Sequence, residues 1–232
     1  MINITGCKIL DLTHEFYHGM PGWPTHPILE VNQLKILNID GYNVKQLIMN
    51  THHGTHVDAA AHMIEDGKTL DQYPLEKFMG EGVVVKITNK NDGEGITDDD
   101  LKKFTILNGD MVYLYTGWSK FRGFNKKYLY RWPYLLPSGA KYLVERNIKV
   151  VGIDGLSIGA WGGNTAASGP VENSAVEVHQ ILLKQEIIIV EEVANLDQVL
   201  GNKLEARAYF IMLPLKIKDS DGSPVRLIAI MC

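Results

Sequence analysis

An α/β fold with a mixed sheet is what this chain predicts, and three observations carry the prediction. Short apolar runs rich in Val and Ile recur from Ile9 to Met231, with strand length rather than helix length. Helix-start signals, a capping threonine at Thr97 and a proline at Pro137, fall between some of those runs. Elsewhere the runs follow one another closely enough to pair as hairpins, so the pattern gives α/β without fixing the topology.

In chain order, Ile9 to Thr13, Ile28 to Leu37 and Val44 to Asn50 read as strands, and Gly82 to Ile87 as a buried strand ending before the turn-rich run 89–93. Thr97 then caps a helix whose first turn is Asp98-Asp99-Asp100. Acids there complement the helix dipole, and this explains the three aspartates better than a metal site does. Met111 to Thr116 is the next strand, followed by a helix from Pro137 to Arg146 with proline in its first turn. Val150 to Asp154 is a strand with Asp154 at its C-terminal end, where a capping or turn role is favoured over a functional one. Ser174 to Leu183 reads as a helix, Ile187 to Val190 and Tyr209 to Leu213 as strands, and Val225 to Met231 closes the chain. The small, polar run Gly162 to Gly169 is expected to be a flexible loop near the site. It lacks the lysine and the strand–loop–helix context of a phosphate loop.

A length of 232 residues suffices for one compact domain spanning residues 1–232 with a sizeable core. The net charge of -4 gives no footprint for nucleic acid or an anionic membrane. No run of about 18 apolar residues is present to span a bilayer, and Met1 to Gly6 lacks the basic start and apolar core of a signal peptide. With only Cys7 and Cys232 present, a reducing compartment is expected rather than a disulfide framework, and hence a cytoplasmic protein.

The chemistry is concentrated in Thr51-His52-His53-Gly54-Thr55-His56-Val57-Asp58-Ala59-Ala60-Ala61-His62, which holds four of the eight histidines. Imidazole and carboxylate together suit zinc or manganese. Several such groups cannot all be buried without partners, and a tag remnant would be terminal and nearly pure histidine. Spacing constrains the conformation. On a helix Asp58 would point away from His52 and His56; on a straight strand residues 52 to 58 would span roughly 20 Å. The segment must therefore bend, at Gly54, and is expected as an irregular turn following the strand that ends at Asn50.

The pattern His52-x-Gly54-Thr55-His56-x-Asp58-x-x-x-His62 resembles the signature of the cyclase family of metal-dependent hydrolases, which includes bacterial kynurenine formamidase (arylformamidase) and isatin hydrolase. Met20-Pro21-Gly22-Trp23-Pro24 resembles the family's N-terminal substrate loop, Thr116-Gly117-Trp118 and Val151-Gly152-Ile153-Asp154 its central strands. Leu213-Pro214-Leu215-Lys216 with Gly222-Ser223-Pro224-Val225-Arg226 resembles its C-terminal hairpin. The resemblance implies a swivelling β/β/α fold, assembled as a homodimer or homotetramer. It implies His52, His56 and Asp58 as metal ligands and His62 as the proton-transfer group. It further matches His179 and Glu191 to a second histidine–glutamate pair, with Glu192 standing beside Glu191 where relatives commonly have glycine, so that either acid could serve. One or two divalent ions per chain, zinc or manganese, follow as the implied cofactor: two in formamidases, a single manganese in isatin hydrolase. Two departures are visible: Ala60 replaces a common proline, and His26 replaces a common acid of the substrate loop.

A divalent ion lowers the pKa of bound water from about 15.7 to roughly 7, so hydroxide forms at neutral pH. His62, as an imidazole, suits the transfer of a proton to an amide nitrogen, a poor leaving group unless protonated. The resemblance thus implies an amidohydrolase acting on an aromatic amide such as N-formylkynurenine in tryptophan catabolism, or on a cyclic amide or lactone such as isatin. A non-catalytic metal- or ligand-binding protein is the contrasting class, disfavoured because a closed structural site has no use for the extra His62. Phe16, Trp23 and His26 are the candidate substrate-binding residues, with Tyr17 beside them, while Trp118, Trp132 and Trp161 are expected in the core or an interface.

Overall fold

The computed structural model describes residues 5–169 and 175–232. Ser174, expected to begin a helix, and the segment Met1 to Ile4 lie outside the described residues. The described residues form thirteen strands: β1 (Lys8–Asp11), β2 (Glu30–Lys35), β3 (Val44–Ile48), β4 (His56–Asp58), β5 (Met79–Lys86), β6 (Gly95–Ile96), β7 (Met111–Tyr115), β8 (Tyr134–Leu135), β9 (Val150–Ile153), β10 (Ile188–Glu191), β11 (Glu205–Ile211), β12 (Gly222–Pro224) and β13 (Ile228–Met231). The α-helices are α1 (Leu37–Asp40), α2 (Asp98–Leu101), α3 (Lys126–Tyr130), α4 (Pro137–Glu145), α5 (Ala175–Leu183) and α6 (Leu196–Leu200).

Nine strands form one mixed sheet in the order β1-β13-β11-β5-β7-β9-β10-β4-β12. The central pairs β5–β7, β7–β9 and β9–β10 are parallel, and the flanking pairs antiparallel. Strands covered on both faces read as continuous apolar runs, and β7, β9 and β10 are buried throughout. Beyond them β11 alternates between buried and less buried positions, because Glu205 and Arg207 face outward. That interruption is why only its second half reads as a strand in sequence. One face of the sheet carries a core built on Val84, Tyr113, Val190 and Phe210; the other carries Val85, Leu114, Ile153 and Ile189 beneath α4 and α5.

The helix signals hold. Thr97 accepts the Asp100 backbone N–H as a capping box, and Pro137 opens α4. Asp154 is a turn aspartate: one oxygen takes the Thr116 N–H at 2.9 Å and the other the Trp118 N–H at 2.9 Å, tying the loop after β7 to the end of β9. Trp118, Trp132 and Trp161 are buried together with Tyr128 and Leu156.

Two expectations are corrected. The histidine-rich segment is not an irregular turn throughout, because residues 56–58 form β4 between β10 and β12. A three-residue strand is too short to show a period in sequence. Cys7 and Cys232 form a disulfide. Antiparallel pairing of β1 with β13 sets Lys8 opposite Met231, so the residues just beyond each strand end meet across the sheet edge. The cysteine count therefore does not support a reducing compartment. Among the described residues no helix is long and apolar enough to cross a membrane.

Candidate metal centre

Strand register builds the floor of the site. Residues directly opposite in an antiparallel pair point to the same face, and His56 lies opposite Glu191 while Asp58 lies opposite Ile189. His56, Asp58 and Glu191 thus emerge on one face of β4 and β10. Val57 and Val190 turn to the other face and enter the core. All three polar side chains are buried, as is His179 on α5. Gly54 bends the preceding turn at φ +62, and any side chain there would overlap the Phe16 ring. The bend returns His52 to the site, and a 3-10 turn, Ala60–His62, brings in His62.

At the floor, backbone carbonyls fix two imidazoles. His56 Nδ1 is 2.7 Å from the Gly54 carbonyl and His179 Nδ1 is 2.7 Å from the Ala175 carbonyl. A carbonyl only accepts, so each Nδ1 carries the proton and each Nε2 of the neutral ring is a lone pair. Both lone pairs face carboxylates. His56 Nε2 is 3.4 Å from Asp58 Oδ1 and 3.6 Å from Glu191 Oε2, and this buried nitrogen has no hydrogen-bond partner. His179 Nε2 is 3.2 Å from Glu191 Oε1 and 3.8 Å from Asp58 Oδ2.

Lone pairs pointed at carboxylates in a buried space repel unless a cation lies among them. Two imidazoles oriented by carbonyls behind them are also the usual outer shell of a metal site. The donor set fits a divalent ion of the zinc or manganese kind. Without one, the same conflict is relieved by protonation: burial disfavours charge on His56 and His179, yet Asp58 and Glu191 respectively raise their pKa values. Burial likewise works to raise Asp58, but His52 and His56 hold it well below the ordinary carboxylate range.

The rim is different. His52 Nδ1 is 2.8 Å from Asp58 Oδ1 and its Nε2 is 2.8 Å from Asp221 Oδ2. Burial opposes charge on this ring, and the two acids raise its pKa to about 10. His62 Nδ1 is 3.4 Å from the same Asp221 oxygen, and the His52 and His62 rings stand 4.1 Å apart. Among the described residues three overlapping sets of metal-competent groups result: His52 with His56 and Asp58, His52 with His62 and Asp221, and Asp58 with His62 and His179.

His52, His56, His62, His179 and Glu191 open onto a cavity of about 250 Å³, whose other walls include Trp23, His26, Met63 and Leu156. Phe16 is not among the residues lining it; it packs behind Gly54. Trp23 packs edge-on against Trp161 at 4.8 Å. Glu192 reaches the cavity wall but turns its carboxylate to the Tyr128 hydroxyl at 3.0 Å and Arg122 Nε at 3.4 Å. Glu191, with its Oε1 held by the Ile158 N–H at 2.7 Å, is the acid that faces both floor histidines. His53 is pinned between the Asn50 N–H and the Pro27 carbonyl, each at 3.1 Å. His18 accepts the Val31 N–H at 3.2 Å, and His14 is half-buried beside Arg122. The larger cleft, about 520 Å³ around Lys86 and Phe104, has no histidine in its wall.

Asp221 is the functional candidate that sequence reasoning missed. It stands one residue before Gly222-Ser223-Pro224, and no local pattern links it to histidines 159 and 169 residues away.

The family described as "Putative cyclase" matches residues 10–160. An uncharacterized protein of Methanocaldococcus jannaschii is 32% identical over 97% of this chain and 100% of its own length. The kynurenine formamidase of Bacillus cereus is 30% identical over 94% of this chain and 95% of that protein. Among solved structures, isatin hydrolase A from Labrenzia aggregata, bound to benzyl benzoate, superposes with a TM-score of 0.83 at 27% identity, covering 98% of this chain and 94% of that one. A potential metal-dependent hydrolase with cyclase activity gives 0.77 at 27% identity, covering 98% and 99%.

Proposed function

The chain belongs to the cyclase family, and we propose that it is a metal-dependent amidohydrolase that cleaves N-formylkynurenine to kynurenine and formate. The observation that carries this reading is the pair of carbonyl-anchored imidazoles, His56 and His179, whose lone pairs face Asp58 and Glu191 in a buried floor. His52, His56, Asp58, His179 and Glu191 would hold one or two divalent ions, zinc or manganese. Such an ion would supply Lewis-acid chemistry at neutral pH, lowering the pKa of a nearby water and favouring negative charge on a carbonyl oxygen.

The chain's own groups do the rest. Asp58 keeps its negative charge between His52 and His56 and would balance a bound cation. His62, on the cavity wall above the floor, takes a proton from the attacking water and returns it to the departing amide nitrogen. Trp23 offers an aromatic face and His26 a polar edge to a flat substrate, and the apolar walls Met63 and Leu156 exclude water around it.

The test is to offer N-formylkynurenine and isatin in parallel and follow absorbance and formate. Formate release from the first, stopped by a chelator and restored by zinc or manganese, is the expected result. Ring opening of isatin alone would replace the formamidase reading with the cyclic-amide one.

A second copy of the chain is the partner we infer. The β2–β3 hairpin leaves all five residues of β3 exposed, and α1 at its tip has no buried residue. Leu34, Ile36, Leu37, Ile39, Tyr42 and Leu47 are about half exposed or more, Ile39 at 81%. An isolated hairpin of this kind is marginal in water. Ile28, Val44 and Ile48 are exposed on the same hairpin, and so much exposed apolar surface suits burial against a partner. Light scattering should give a dimer or tetramer, and Leu37→Asp with Ile39→Asp should give a folded monomer. A monomeric parent at tens of micromolar would exclude this partner.

A further inference from the structure

The site's rim contains a carboxylate that neither the floor nor the proposed chemistry yet uses. Asp221 lies at the turn entering β12, its backbone carbonyl held by the Ala59 N–H at 2.8 Å. Its Oδ1 accepts the Thr51 hydroxyl at 3.0 Å, which orients the carboxylate. Its Oδ2 then stands between two imidazoles, 2.8 Å from His52 Nε2 and 3.4 Å from His62 Nδ1. The next residue is Gly222, where a Cβ would come within 2.7 Å of the His52 ring, so the turn is shaped to let that ring lie against it.

We propose that Asp221 is a positioning residue that sets the tautomers of both rim histidines, and this rests on the acid–base reading of His62. An ionised carboxylate only accepts, so the nitrogens facing it carry the protons: Nε2 of His52 and Nδ1 of His62. For His62 this leaves Nε2 as the basic nitrogen available to the cavity, the arrangement an acid–base imidazole needs when an acid orients it. For His52 the other nitrogen, Nδ1, faces Asp58 at 2.8 Å, and an ion held there would displace the Nδ1 proton and take its lone pair while Asp221 keeps the Nε2 proton. His52 therefore addresses the centre through Nδ1, whereas His56 and His179 address it through Nε2. One oxygen on the C-terminal hairpin thus couples the ring that would bind the ion to the ring that would move the proton.

The test compares Asp221→Asn, His62→Ala and the double variant, using the ion-loaded protein and N-formylkynurenine. Asp221→Asn should lower kcat by about ten- to a hundredfold with KM changed less than about threefold, and weaken ion binding about tenfold in chelator competition. In the His62→Ala background the same change should lower kcat less than about threefold, because the effect passes through His62. Nitrogen-15 spectra of labelled histidine should show His62 as the Nδ1–H tautomer in the parent protein and a mixture in Asp221→Asn, a readout independent of turnover. Unchanged kcat in Asp221→Asn, or losses that multiply in the double variant, would overturn the inference while leaving the proposed function standing. Full turnover in His62→Ala would remove the acid–base reading itself.

Discussion

The floor and the rim of the centre use the same residue types in opposite ways. At the floor, His56 and His179 are buried and each is anchored by a main-chain carbonyl, which cannot change its protonation or swing aside. At the rim, His52 and His62 are anchored by Asp221, a side chain that is 42% exposed. A fixed lone pair in a buried carboxylate pocket suits holding an ion; His62, beside a solvent-reaching carboxylate, suits moving a proton, while His52 turns its other nitrogen toward the floor. On the proposed reading, this difference divides the labour of one cavity.

The sharpest way to break that division is to remove a floor imidazole. His56→Ala should lose the bound ion and lower turnover by at least about a thousandfold, checked by elemental analysis beside the rate. His62→Ala should leave ion content unchanged and lower kcat by about a hundred- to a thousandfold. If His62→Ala instead emptied the site, His62 would be part of the ion's cage and the division would fail. The two adjacent acids refine the floor's boundary: Glu191→Gln should weaken ion binding about tenfold or more in chelator titration, while Glu192→Gln, whose carboxylate faces Tyr128 and Arg122, should not. Smallest is the effect of the bend that joins floor to rim. Gly54→Ala must adopt φ +62 against the Phe16 ring, and thermal unfolding should report a loss of roughly 1–3 kcal/mol.

Floor and rim were not equally legible in the sequence. His52, His56, Asp58 and His62 stand within eleven residues, so composition alone exposes them, and the need for a bend at Gly54 follows from the length of a straight strand. His179 and Glu191 are ordinary as isolated residues and became candidates through resemblance; the register of β10 against β4 is what puts Glu191 beside His56. Asp221 had neither signal, since its contacts come from β12 closing on β4 at the far end of the chain. The same reason hid the disulfide: Cys7 and Cys232 meet only because β1 pairs with β13. Central strands such as β7 and β9 were plain because burial on both faces leaves an unbroken apolar run. β4 has three residues and α6 five, too few to display a period, and β2 ends sooner than its apolar run, which continues into α1.

The most direct measurement is elemental analysis of the protein purified from medium containing zinc and manganese, alongside its His56→Ala variant. One or two ions per parent chain, and none in the folded variant, is the predicted result. An ion-free parent, or equal occupancy in both, would contradict the claim that this floor is a metal centre.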